Sequence, residues 1–68
     1  MTACTKHLKN ILEDCYDTDY LSNMDDLIRA DNRAERILTT HYSNADYTFL
    51  KQYASILQTA AYTEVLEH

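Results

Sequence analysis

Six carboxylates, Glu13, Asp14, Asp17, Asp19, Asp25 and Asp26, fall within the stretch EDCYDTDYLSNMDD, and no Lys or Arg lies among them. Carboxylates at this density can hold a divalent cation, act as a paired acid and base, or present a negative surface. A calcium loop places acids at alternate positions, then a Gly at the sixth and a Glu at the twelfth. Counted from Asp17, the third residue is Asp19, but the sixth is Ser22 and the twelfth is Ile28. Neither the sharp turn nor the bidentate ligand is supplied. A catalytic carboxylate pair needs a pocket that holds two acids at a defined separation, and a chain of 68 residues has little room for one. The stretch is therefore expected to be surface. Asp25 and Asp26 suit the positive end of a helix that starts beside them, whereas Glu13 and Asp14 near the end of the preceding helix oppose its dipole. A basic partner accounts for this uncompensated charge. Glu13, Asp14, Asp17 and Asp19 are the expected partner-binding carboxylates, and Tyr16 and Tyr20 between them supply anchoring area.

A second set of charges has the opposite sign. Arg29, Arg33 and Arg36 stand at i, i+4 and i+7, one stripe on the polar side of a helix, facing the other way from the acidic stretch. Aligned guanidiniums can grip phosphate or carboxylate, which makes this the alternative binding stripe. Its bland counterpart is pairing with Asp25, Asp26 or Asn32 on the same helix. The chain carries 6 Lys and Arg against 11 Asp and Glu, a net charge of −5, with a pI near 4.8. Phosphate-backbone binding requires clustered cations, so this balance argues against nucleic acid.

Cys4, His7, Cys15 and His41 include metal-ligating types, and Cys4 and His7 are one helical turn apart. Cys15 lies eleven residues beyond Cys4, about 16 Å along one helix. One ion does not reach both, and a disulfide is out of reach. Both thiols are expected to be reduced and buried, which suits a cytoplasmic setting. No metal, cofactor or nucleophile–base pair is expected, and the chain is read as a non-enzyme.

These groups have to be positioned by helices. Gly and Pro are both absent, which removes Gly-rich phosphate loops and most tight-turn chemistry. Apolar residues recur at helical spacing in three segments. The first runs from about Thr5 to Tyr16, with Cys4, Leu8, Ile11, Leu12 and Cys15 on one face and a Lys9–Glu13 pair opposite. The second begins after a capping Ser22 and runs to about His41, with Met24, Leu27, Ala34 and Leu38 as its stripe and Ile28, Ala30 and Ile37 at the edges. Asp31 falls inside that stripe and His41 near it. The Asp must either tilt outward or find a Tyr, Lys or Thr partner on another helix. The third begins after Ser43 or Asn44 and runs to about Thr63, with Phe49, Leu50, Tyr53, Ile56, Leu57, Ala60 and Ala61 on a single face. The expected fold is all-α: a short first helix packed on a longer helical hairpin, one domain over residues 1–65. Leu66-Glu67-His68 has the look of an expression-tag remnant.

A domain of this size is marginal alone, and the fourteen large aliphatic and Phe side chains between Leu8 and Val65 make a thin core, so a homodimer is expected. No apolar run approaches the roughly 20 residues of a membrane span. The chain is read as a small acidic protein-interaction module that binds and modulates a larger protein. Its size and composition suit the compact accessory proteins of phages and other mobile elements. Two alternatives remain: a small dimeric DNA-associated regulator using the Arg stripe, or a nucleic-acid mimic acting through the acidic stretch.

Overall fold

α1 and α2 each begin where a short polar side chain takes up a backbone N–H group that helical geometry leaves unpaired. A computed structural model describes residues 2–67. Thr2 accepts from the Thr5 N–H at 3.1 Å and opens α1, Ala3–Cys15. Asn23 accepts from the Asp26 N–H at 3.0 Å and opens α2, Met24–Thr40. The sequence pointed to Ser22 as this cap. Ser22 instead donates its N–H and hydroxyl to Asp26 Oδ2, at 2.9 and 3.0 Å. Ser22, Asn23 and Asp26 thus lock the helix start between them, in a variant of the capping box. α3, Tyr47–Leu66, starts after Asp46, whose carboxylate does not cap the helix. It accepts the Thr5 hydroxyl of α1 at 2.7 Å.

The topology follows from which residues meet. Thr5 reaches Asp46 at one end of the molecule, Tyr53 reaches Glu13 midway, and Tyr16 shares a partner with Gln58 and Tyr62 at the other end. α1 and α3 therefore run in the same direction, with α2 returning between them. All three helix pairs are in contact. The molecule measures 37 × 18 × 16 Å, and its long axis is set by the 20 residues of α3, about 30 Å at 1.5 Å per residue. This is the expected all-α arrangement, with the short helix against a longer hairpin.

The core is thin. Leu12, Leu27 and Leu50 are its large, fully enclosed side chains, joined by Leu8, Cys15 and Tyr16 of α1, Ala30 and Ala34 of α2, and Ala54 and Ala61 of α3. Several positions depart from the expected stripes. Cys4 is exposed, and its place inside is taken by Thr5, which is fully buried because its hydroxyl is satisfied by Thr2 and Asp46. Met24 and Ile28 are also exposed. In α3 the buried face is turned from the expected one. Leu50, Ala54 and Ala61 face in, while Phe49, Ile56 and Ala60 face out. The reason is that α3 touches two neighbours, and each offers a carboxylate to its polar side chains: Glu13 to Tyr53, Asp31 to Gln58 and Tyr62. α3 runs on to Leu66, past the expected end at Thr63. Of the residues read as a tag remnant, His68 lies outside the described residues.

Candidate functional site

The acidic stretch does not act as one unit. Glu13, half-buried, joins a cluster on α1 and α3: Lys9 Nζ lies 3.0 Å and the Tyr53 hydroxyl 2.5 Å from its Oε1, and Lys9 also sits 5.0 Å from the centre of the Tyr53 ring. The Tyr53 hydrogen bond, then the Lys9 bond, hold the Glu13 carboxyl below its usual range, and the same contacts raise Tyr53 and Lys9. Asp26 is likewise committed. Its bonds from Ser22, with Arg29 as an ion-pair partner, lower its pKa. Tyr16, expected as a surface anchor, is buried. The remaining members are the outward ones. Asp14, Asp19 and Asp25 are exposed, and among the described residues no hydrogen bond or ion pair engages their side chains. Asp17 turns the chain by accepting the Asp19 N–H at 3.0 Å. Tyr20 is 80% exposed.

The arginine stripe was expected either to grip an anion or to pair with Asp25, Asp26 or Asn32 on its own helix, and Arg29 does pair with Asp26. Arg29 and Arg33 also line one cleft of about 300 Å³ with Asp14, Asp17, Tyr20 and Asp26. The connection between α1 and α2 folds back over the first turns of α2, because Tyr20 and Leu21 return their N–H groups to Asp17 and Thr18. That brings both charge signs to one wall. Arg36, a turn further on, lines a separate depression with Asn32, Glu35, Thr39 and Thr40. The guanidiniums of Arg29 and Arg33 therefore sit in a negative local field, which is poor for phosphate and good for a partner that presents cations.

Asp31 is neither tilted into solvent nor orphaned. Its Oδ1 accepts from the Tyr16 hydroxyl at 2.6 Å and from Gln58 Nε2 at 3.0 Å, and its Oδ2 accepts from the Tyr62 hydroxyl at 2.5 Å. One carboxylate of α2 thus ties α1 to α3. Burial, then the bond to Asp31, raise the Tyr16 hydroxyl well above the ordinary tyrosine value, and the Asp31 bond raises Tyr62. Asp31 stands at one end of a groove of about 400 Å³ between α2 and α3, floored by Ala34 and Ala54 and edged by Glu35, Tyr47 and Lys51. The sequence showed that Asp31 needed a partner and that tyrosine was one choice. Gln58 and the choice of Tyr16 and Tyr62 carried no signal there.

The candidate metal ligands are dispersed. Cys4 and His7 are exposed near the start of α1, Cys15 is buried at its end, and His41 is half-buried after α2. Burial raises the Cys15 thiol in spite of the opposing charge of Arg33. Among the described residues no helix is long and apolar enough to cross a membrane.

No protein-family model, curated protein or solved structure matches this chain.

Proposed function

We propose that this chain is a non-enzymatic interaction module that binds a basic surface on a larger protein through the turn between α1 and α2, and that it works as a dimer in the reducing cytoplasm. The observation that carries this reading is Tyr20. A tyrosine 80% exposed stands in a cleft walled by Asp14, Asp17 and Asp26, with Asp19 beside it and Asp25 exposed a few residues on. Aromatic area with a carboxylate rim is what a partner's Lys or Arg side chains would meet: the ring supplies contact area, and the charges set approach rate and orientation. Size and charge suit an accessory protein of a phage or other mobile element acting on a host protein. The DNA-regulator alternative has less support, because Asp26 occupies Arg29 and further carboxylates line the same cleft as Arg33. A nucleic-acid mimic would use the same outward carboxylates and differs only in its target.

The test is affinity capture with two baits in parallel, the wild-type chain and Asp17→Asn/Asp19→Asn. The reading expects a basic protein that the wild type retains at low ionic strength and releases as salt screens the contact, and that the double variant fails to retain. A partner held equally by both baits at low salt would move the site elsewhere.

A further inference from the structure

The outer face of α3 carries Phe49, Tyr53, Ile56 and Ala60, spaced 4, 3 and 4 residues apart. That is the spacing of a coiled-coil seam, and it lies on the side of α3 turned away from Leu50, Ala54 and Ala61. Ile56 is 66% exposed and Phe49 38%. The Phe49 and Tyr53 rings stack with centroids 5.9 Å apart, so the seam is pre-ordered. Tyr53 is half-buried against Lys9 and Glu13 of α1, whereas Phe49, Ile56 and Ala60 are exposed, and the core beneath has few large side chains to spare.

We infer that a second copy of this chain covers the seam, the two α3 helices lying antiparallel about a two-fold axis beside residues 54–55. This rests on the dimeric reading above and specifies its interface. Three observations choose the occupant and the geometry. First, the seam is complementary to itself in reverse. An antiparallel pairing sets large Phe49 against small Ala60 and Tyr53 against Ile56, each contact made twice, as an isologous interface requires. A parallel pairing stacks Phe49 on Phe49 and leaves Ala60 facing Ala60 across a gap. Secondly, charge favours this face. The chain is strongly acidic, and self-association through the turn between α1 and α2 would bring like charges together. Along the seam, one flank holds the neutralised Lys9–Glu13 pair and the other holds the uncharged Gln52 and Thr59. Thirdly, the scale shows what must join the seam: a standard interface takes roughly 800 Å² from each partner, about a sixth of this protomer's 4756 Å², and an overlap of about 16 Å of helix reaches it only together with the adjoining edge of α1. The overlap spans residues 49–60 and leaves the acidic turn open to its own partner.

Sedimentation equilibrium and cysteine cross-linking test this together. The wild-type chain is expected at about twice its 7.9 kDa protomer mass. Ile56→Glu is expected to sediment as a protomer with an unchanged helical circular dichroism spectrum, since Ile56 lies outside the core. On a Cys4→Ser background, Phe49→Cys and Ala60→Cys chains mixed under mild oxidation should cross-link to each other. Ala60→Cys alone should not, because antiparallel pairing holds two copies of position 60 about 16 Å apart along the axis. A protomer mass for the wild type even at millimolar concentration would overturn both the dimer and this interface. A dimer that survives Ile56→Glu, or an Ala60→Cys chain that cross-links to itself, would leave the dimer standing and overturn this pairing.

Discussion

The Tyr16 hydroxyl donates to Asp31 Oδ1 across 2.6 Å, and this contact joins the end of α1 to the middle of α2 at a point where α3 also arrives. Gln58 and Tyr62 complete the set. A polar pin of this kind specifies one arrangement of helices when every member is satisfied, and is costly when one is not. Asp31→Ala removes the common acceptor and leaves three donors facing a gap, one of them on the buried Tyr16. Hydrogen bonds to charged groups are worth roughly 1.5–3 kcal/mol each, and a buried donor left unpaired costs its desolvation as well. The expected loss is about 2–4 kcal/mol, a large share of the whole stability of so small a domain. In a thermal melt it should lower Tm by more than about 10 °C. Tyr16→Phe, which removes only one of the three donors, should cost less. A melt of Asp31→Ala within a few degrees of the wild type would show that the pin is not structural.

The same network sets an alkaline limit. Tyr16, Tyr53 and Tyr62 donate to carboxylates, and all three are raised above the ordinary tyrosine value of 10.0. Below pH 10 these hydroxyls keep their protons in both the folded and unfolded chains, and their contribution is fully present. Above pH 10 the unfolded chain loses protons that the folded chain keeps, so unfolding is favoured as pH rises. Denaturant midpoints measured from pH 8 to 11.5 should be level at first and then fall. Tyr16→Phe should flatten that fall. Equal slopes for the two proteins would remove Tyr16 from the account.

Asp17, Asp19 and Asp26 come from one run of acids but have different employment. Asp17→Asn/Asp19→Asn changes exposed or half-exposed turn residues and should shift Tm by no more than about 3 °C. Asp26→Asn weakens the acceptor of two Ser22 bonds and the partner of Arg29, and should lower Tm further than the double change does. Acid sharpens the contrast. Glu13 and Asp26 are lowered from 4.5 and 3.8, so their contribution is present above those values and is lost as pH falls through the folded pKa values. In melts the gap between wild type and Asp26→Asn should be widest at neutral pH and should narrow steadily as the pH is lowered below 3.8.

The helix count and order could be read from the spacing of Leu8, Leu12, Leu27 and Leu50, because a helix buries a periodic face and these residues keep the period. The rotation of α3 could not. The seven residues read as its single face leave out Ala54, Tyr62 and Val65, which extend the apolar side, so the inward side is decided by Glu13 and Asp31 on other helices, which one segment's pattern does not contain. Thr5 shows the same limit from the polar side. A threonine reads as surface until Asp46, forty-one residues away, supplies its acceptor. The meeting of acidic stretch and arginine stripe was hidden for a related reason: both segments were legible, but the fold of the connection that sets Asp14 and Asp17 beside Arg33 depends on backbone bonds at Asp17 and Thr18.

Capping gives a local test of the corrected helix start. Asn23→Ala removes the acceptor of the Asp26 N–H and should cost about 1 kcal/mol. Ser22→Ala keeps the backbone bond to Asp26 and loses only the hydroxyl, so its cost should be smaller. Urea titrations of the two variants decide the order, and a larger loss at Ser22 would restore that residue as the cap.

The two thiols should behave as strangers. Cys4 is exposed, whereas Cys15 is 2% exposed at the far end of the same helix and its thiol is raised by burial. Thiolate, not thiol, attacks a disulfide reagent, and access limits the rate further. With an aromatic disulfide reagent at neutral pH, one equivalent should be released promptly from the native protein. The second should follow only on adding denaturant or at the slow rate of unfolding. Neither rate should change when a chelator is added, and the helical circular dichroism should hold, because neither thiol is expected to be a metal ligand. Two thiols silent until the chelator is added, with helicity lost at the same moment, would show that a metal holds Cys4 and Cys15 after all, through a pairing of chains that brings separate copies of α1 together.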